Sequence, residues 1–261
     1  MNIVLIGAGN VGSYFISRII DCNNFSEKIV LQIYSRNINA IKKQVALFDI
    51  EVVDKIEEIN KSADFYLFML SDDIISDFVS KMEPTNAVFI HSSGSLPINI
   101  FQKKTSNFGA LYPFQTFSKN KIPTYYDIPI FIEASNSETY EQIKQLTEIL
   151  KFNKLTKVDE KTRNTIHIAG IFANNFTNHC VYLAEKILME NNIKKDILLA
   201  LIEETYEKLK NNDAEHSQTG PALRNNKKII ENHLKLLKND NEMYDIYNAI
   251  TNSILKTYHN G

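Results

Sequence analysis

The chain has 261 residues, 29 of them basic and 31 acidic, giving a formal net charge of −2. That length accommodates one large domain or two modest ones around a real hydrophobic core. The balanced charge implies neither a nucleic-acid footprint nor a strongly acidic partner, and no nucleic-acid partner is expected. Cys22 and Cys180 are the only cysteines, so a disulfide framework is excluded and a reducing compartment is expected. With no CxxC or HxxxH spacing, no metal site is expected either.

Ile3–Ile6 reads as a strand. The N-terminal apolar run is too short, and too soon broken by Gly7, for a signal peptide or a membrane span. The protein is therefore expected to be soluble and cytoplasmic, without a membrane partner. A helix over about Val11–Ile20 follows, then a strand at Ile29–Tyr34 and a helix around Ile38–Phe48. A weak strand at Ile50–Val53 precedes Phe65–Leu70, an unbroken apolar run of the kind buried on both faces of a parallel sheet. A helix near Asp73–Met82, strands at Ala87–Ile90, Phe108–Tyr112 and Ile128–Ile132, a helix near Ser137–Leu150 and a strand near Leu155–Val158 complete the pattern. Strands alternating with amphipathic helices predict an α/β domain with a doubly wound parallel sheet of Rossmann type, residues 1–158.

Beyond Asp159 the strand signals stop. Apolar residues recur at helical spacing from Lys161 to Asn191, which predicts a helix roughly 45 Å long. Helices at Lys195–Leu209, Pro221–Leu237 and Glu242–Lys256 follow, with the polar interval Lys210–Thr219 as a loop. Residues 159–261 are thus expected to form an all-α C-terminal domain.

Gly7-Ala8-Gly9-Asn10-Val11-Gly12 is a full GxGxxG between a buried strand and a helix, the context that a dinucleotide-binding turn requires. Gly7 permits the tight turn, Gly9 lets a diphosphate approach the backbone, and Gly12 lets helix and strand pack. The N–H groups around Asn10 and Val11 would face the phosphates at the helix start. The alternative is a structural turn without a ligand. An NAD-specific unit carries an acid at the end of its second strand, to hold the ribose 2′-OH. Here that strand ends in Tyr34-Ser35-Arg36-Asn37. Ser35 and Arg36 suit a 2′-phosphate, which favours NADP(H) over NAD(H); otherwise Arg36 is a solvated strand-end arginine.

Ligands of such sheets sit at the carboxyl ends of the strands. Ser71 and Asp72 follow the fourth strand, either on the cofactor side or as a helix N-cap. His91-Ser92-Ser93-Gly94-Ser95 follows the fifth, with room for a nicotinamide ring. His91 is a candidate proton donor, or else bonds its own loop. On the long helix Arg163, His167, Asn174 and Asn178 fall on one face, with Asn175 and His179 beside them. These groups face either a substrate or other helices. Gln218-Thr219-Gly220-Pro221-Ala222-Leu223-Arg224 reads as a helix start that either closes over an anionic substrate or simply begins a helix. The pairs Tyr140/Lys144 and Tyr206/Lys210 match a short-chain dehydrogenase spacing but lie in late amphipathic helices and are discounted.

These stretches, together with Tyr112-Pro113-Phe114-Gln115-Thr116-Phe117 and Asn174-Asn175-Phe176-Thr177-Asn178-His179, resemble a family of bacterial Rossmann-like proteins with a C-terminal helical domain of unknown function. That family is labelled as NADP oxidoreductases and is similar to pyrroline-5-carboxylate reductase and deazaflavin-dependent NADP oxidoreductases. The resemblance spans nearly the whole chain. It implies an active cleft between the two domains and a homodimer made largely through the helical one. Related β-hydroxyacid dehydrogenases carry a catalytic lysine on the first long helix, where this chain has Asn174, Asn175 and His179 instead. The expected activity is hydride transfer between NADPH and a small carbonyl or imine compound. His91 or His179 would be the proton donor, and Ser93, Asn174 and Asn178 the orienting groups. A non-catalytic NADP(H)-binding sensor is the alternative, and a dehydrogenase of another cofactor class, such as deazaflavin, is a third option.

Overall fold

The computed structural model describes residues 1–23, 29–118 and 127–259. In the first part of the chain, β1 (Asn2–Ile6), α1 (Asn10–Asn23), β2 (Val30–Tyr34), α2 (Ile38–Gln44), β3 (Glu51–Val53), β4 (Phe65–Phe68), α3 (Asp72–Ser80) and β5 (Val88–His91) follow in order. They continue with β6 (Phe108–Pro113), β7 (Pro129–Ala134), α4 (Ser137–Ile149) and β8 (Lys154–Lys157). The strands form one sheet in the order β3-β2-β1-β4-β5-β6-β7-β8. This is the doubly wound Rossmann arrangement, with the strand order reversing between β1 and β4.

Alternation along the strands builds the core on both faces. Ile3 and Leu5 pack with Phe15 of α1 and with Ile143 and Leu146 of α4 on one side. On the other, Val4 and Ile6 pack with Ile75 and Phe78 of α3. Every pairing is parallel except β6 with β7, which is antiparallel. The sheet is therefore mixed where the sequence pattern reads as parallel, because apolar alternation carries no strand direction. The register sets Ile6 level with Tyr34 and Phe68, and Phe68 level with His91. The turns after β1, β2, β4, β5 and β6 all leave from one edge of the sheet.

The chain divides into two compact units, Met1–Asn175 and Phe176–Gly261. The first continues past the last strand through α5 (Glu160–Gly170) and into a π-helical segment, Ile171–Phe176, that begins directly after it and whose last residue falls in the second unit. Wider π turns inside helices often occur at functional sites. The second unit holds α6 (Thr177–Glu190), α7 (Leu199–Asn211), α8 (Ala214–Ser217), α9 (Lys227–Leu237) and α10 (Asn241–His259). α9 begins six residues later than the proline at 221 predicts. Asn225 takes φ 50°, and the Asn226 side chain then caps α9 by accepting from the Ile229 N–H. α8 forms within the interval expected to be loop. Among the described residues no helix is long and apolar enough to cross a membrane.

Candidate functional site

The glycine turn stands between two cavities at the carboxyl edge of the sheet. Gly7 has φ +98°, and a Cβ there would lie 2.7 Å from both the Met69 carbonyl and the Leu70 side chain. A Cβ on Gly12 would collide with the Gly7 carbonyl oxygen. Gly9 differs: nothing lies within 4 Å of where its Cβ would be. The space above Gly9 is thus open to a bound diphosphate, and α1 begins beside it at Asn10, where the first N–H groups of a helix have no partner within the helix itself.

On the α2 side of the turn is a cavity of about 290 Å³ lined by Gly7, Gly9, Ser35, Arg36, Asn37 and Ser71, among others. Ser35 is buried at the end of β2, and its Oγ accepts the Asn37 N–H at 3.3 Å, leaving its hydroxyl proton free to donate. Arg36 is exposed beside it. A hydroxyl donor and a guanidinium where NAD sites place a carboxylate form an anion-accepting set. These residues fit a nucleotide with a ribose 2′-phosphate.

On the other side of the turn a second cavity of about 400 Å³ is lined by Asn10, Val11, Tyr112, Gln115, His167, Asn174 and neighbouring residues. It joins the end of β6 to α5 and the π segment. The Tyr112 hydroxyl lies 3.0 Å from His167 Nδ1, with the two rings edge to face at 5.8 Å. Burial pushes the Tyr112 phenol above its ordinary value, although the Arg163 charge opposes this, so the hydroxyl keeps its proton at neutral pH. His167 packs against the loop after β5, where a Cβ on Gly94 would come within 2.5 Å of its ring.

Arg163 fixes that loop. It is fully buried and forms a 2.8 Å ion pair from Nε to Glu133 of β7. Its remaining nitrogens donate to the carbonyls of Ser93 at 2.9 Å and Leu96 at 2.8 Å. The Ser93 hydroxyl donates to Asp72 at 2.7 Å, and the Ser95 hydroxyl to the same oxygen at 3.3 Å. Ser71 occupies the N-cap position of α3 without a side-chain bond to the helix. Its neighbour Asp72 is committed to the serine loop. His91 is wholly buried. Its Nδ1 accepts the Ser93 N–H at 3.2 Å, and its Nε2 has no hydrogen-bond partner. Burial and the Arg163 charge push its pKa down to about 3. A neutral imidazole inside the sheet is poorly placed to deliver protons, so the geometry favours the bonding of its own loop.

The polar face read along the long helix does not hold as one stripe. A π segment takes more residues per turn than an α-helix, so the spacing that aligns His167 with Asn174 and Asn178 is lost across 171–176. Arg163 turns to Glu133, while His167, Asn174 and Asn175 line the second cavity. Asn178 and His179 lie exposed in the second unit, where His179 stacks on Tyr182. In that unit too, Gly220 takes φ +102° and Arg224 is exposed. The Tyr112–His167 pair escapes a sequence reading because its members are 55 positions apart. The only hints were a tyrosine at a strand end and a histidine on an amphipathic helix.

A domain of unknown function, DUF2520, matches residues 128–254. Among solved structures, a "putative NADP oxidoreductase" from Bacteroides fragilis is 33% identical, with 98% of each chain covered and a TM-score of 0.84. An imine reductase from Myxococcus stipitatus in complex with NADP+ is 14% identical, covering 100% of this chain and 95% of that one, with a TM-score of 0.63. The Plasmodium falciparum pyrroline carboxylate reductase with NADP bound is 14% identical, covering 99% and 97%, with a TM-score of 0.59. No curated protein matches the chain in sequence.

Proposed function

The chain belongs to the family of Rossmann-like proteins with a C-terminal DUF2520 domain, and on that premise we propose that it is an NADP(H)-dependent oxidoreductase acting on a small carbonyl or imine compound. The observation that carries this reading is the pair of cavities on either side of the glycine turn. A dinucleotide laid over Gly9 would place its 2′-phosphate beside Ser35 and Arg36. Its nicotinamide end would lie toward Tyr112, His167 and Asn174. When bound, the cofactor supplies a hydride. The protein's own residues bind and orient: the N–H groups at Asn10 and Val11 hold the diphosphate, and Gln115, Asn174 and Asn175 offer amides to a carbonyl or imine. His91 and Ser93, anchored through Arg163 and Asp72, act as positioning groups. The similar structures, an NADP oxidoreductase and an imine reductase in complex with NADP+, support the same chemistry.

The test is transfer of deuterium from C4-labelled NADPH into product, across a panel of ketones and cyclic imines. Tight NADPH binding with no label transfer to any of them would instead favour a non-catalytic sensor. Cofactor choice has its own test. Changing Arg36 to Asp removes charge-assisted bonds worth about 1.5–3 kcal/mol each and repels the 2′-phosphate. NADPH affinity should fall roughly 100-fold while NADH affinity holds, as read by titration fluorescence. Equal losses for both nucleotides would count against the assignment of the 2′-phosphate to Arg36.

The partner we propose is a second copy of the chain, joined through the helical unit. Leu199 and Leu201 on α7 are 60% and 64% exposed, and Ile197 and Met189 are similarly bare. Large apolar side chains left bare in this number point to an association surface. Leu201→Glu should convert a dimer to a monomer in sedimentation velocity. A wild-type chain that sediments as a monomer at micromolar concentration would refute the pairing.

A further inference from the structure

We infer that Tyr112 and His167 form the proton-delivery pair of this site, with Tyr112 as the catalytic acid and His167 as the group that recharges it. The inference rests on the oxidoreductase reading above and adds the residues that complete its chemistry. Reducing a neutral carbonyl takes one hydride and one proton. Were a hydride to add to the carbon, the C=O π pair would move onto oxygen, and that oxygen would need a proton. Within the described residues of the second cavity, the histidine and tyrosine are the lining groups that exchange protons readily.

The geometry gives the two residues different tasks. Tyr112 stands at the end of β6, half-buried, at the edge where strand-end ligands bind. Its hydroxyl meets His167 Nδ1 at 3.0 Å and holds its proton at neutral pH. A phenol alone would leave an expensive phenolate in a partly desolvated place. His167 removes that cost. When Tyr112 gives its O–H proton to the nascent alkoxide, the imidazole tautomer carrying hydrogen on Nδ1 passes that proton to the tyrosyl oxygen. Nε2 meanwhile takes a proton from water. The balance is one hydride from NADPH and one net proton from solvent per carbonyl reduced. The ring is held in place for this by the close approach of Gly94, on the loop that Arg163 ties down through the Ser93 and Leu96 carbonyls. Asn174 and Asn175, which cannot donate a proton to an alkoxide, remain as orienting groups. The same arrangement leaves His91, buried and bonded to its own loop, without a part in proton delivery.

The inference separates substrates by whether they need a proton. A ketone needs hydride and proton; an N-alkylated cyclic iminium salt needs hydride alone. Tyr112→Phe should lower ketone turnover about 100-fold or more and leave iminium turnover within about twofold, with NADPH affinity unchanged. His167→Gln should follow the same split more mildly. A second readout needs no turnover: the His167 Nδ1 resonance of ¹⁵N-histidine-labelled protein should move in Tyr112→Phe and stay put in Asn174→Ala. Equal losses on ketone and iminium would overturn the inference while sparing the oxidoreductase reading, and so would an unmoved His167 resonance. A wild-type protein that binds NADPH but reduces neither substrate would bring down that reading, and this inference with it.

Discussion

Replacing Arg163 with methionine is expected to cost about 3–5 kcal/mol of folding stability, a large share of the roughly 5–15 kcal/mol a domain has in total. The residue is fully buried, and its ion pair with Glu133 is 2.8 Å long with both partners out of solvent. Methionine keeps most of the volume, so packing changes little. The loss comes from what is left behind: an uncompensated carboxylate on β7 and the Ser93 and Leu96 carbonyls without their donors. Urea denaturation should show the midpoint falling by about a molar or more for a slope of roughly 3 kcal/mol per molar or less. Replacing Glu133 with leucine in the same chain removes the stranded charge and should recover much of the loss, because a buried pair exchanged for apolar groups is often close to neutral. A single variant as stable as wild type would mean that the pair is solvated in solution.

Gly9→Val should do the opposite: spare the fold and abolish nucleotide binding. Its Cβ position is open to 4 Å, and Gly9 does not take a positive φ, so a Cβ there meets nothing and the backbone suits an L residue. The melting temperature should stay within about 2 °C of wild type, as for a substitution that breaks no packing. The valine methyls would fill the space that the diphosphate needs and push it off the amides of the first turn of α1. Losing two or more charge-assisted bonds of about 1.5–3 kcal/mol each weakens binding by at least roughly 100-fold. Gly12→Ala is the contrasting control. Its Cβ meets the Gly7 backbone carbonyl, so that variant should lose stability and binding together. Binding lost without instability at position 9, but with instability at position 12, is the pattern that separates a ligand cradle from a merely tight turn.

Much of the first unit was legible in the sequence because its signals are local. The unbroken apolar runs at β4 and β5 become strands buried on both faces, and Gly7 through Gly12 connects β1 to α1 as the spacing requires. The direction of β7 was not legible, since period-two alternation is the same in either orientation. Nor was the π segment at 171–176, where an apolar-polar pattern close to 3.6 hides a wider turn. The start of α9 was misplaced because Pro221 looks like a first helical residue, while Asn225 and Asn226 override it through a positive φ and a side-chain cap.

The site divides the same way. Ser35 and Arg36 could be named because strand-end chemistry is read from neighbours in sequence. His91 stands out in the sequence as a histidine in a small-residue loop, yet whether it faces solvent or the sheet depends on the strand register, which puts it level with Phe68 and Ala110. The Tyr112–His167 bond and the Arg163–Glu133 pair join elements 55 and 30 positions apart, and only tertiary packing brings them together.

Titration calorimetry of NADPH into the wild-type chain, with Gly9→Val beside it, bears most directly on the glycine turn as a diphosphate cradle. One molecule per chain should bind at micromolar affinity or better, more tightly than NADH, with the heat gone in the valine variant. Wild-type protein that takes up neither nucleotide, or a valine variant that binds as well as wild type, would contradict it.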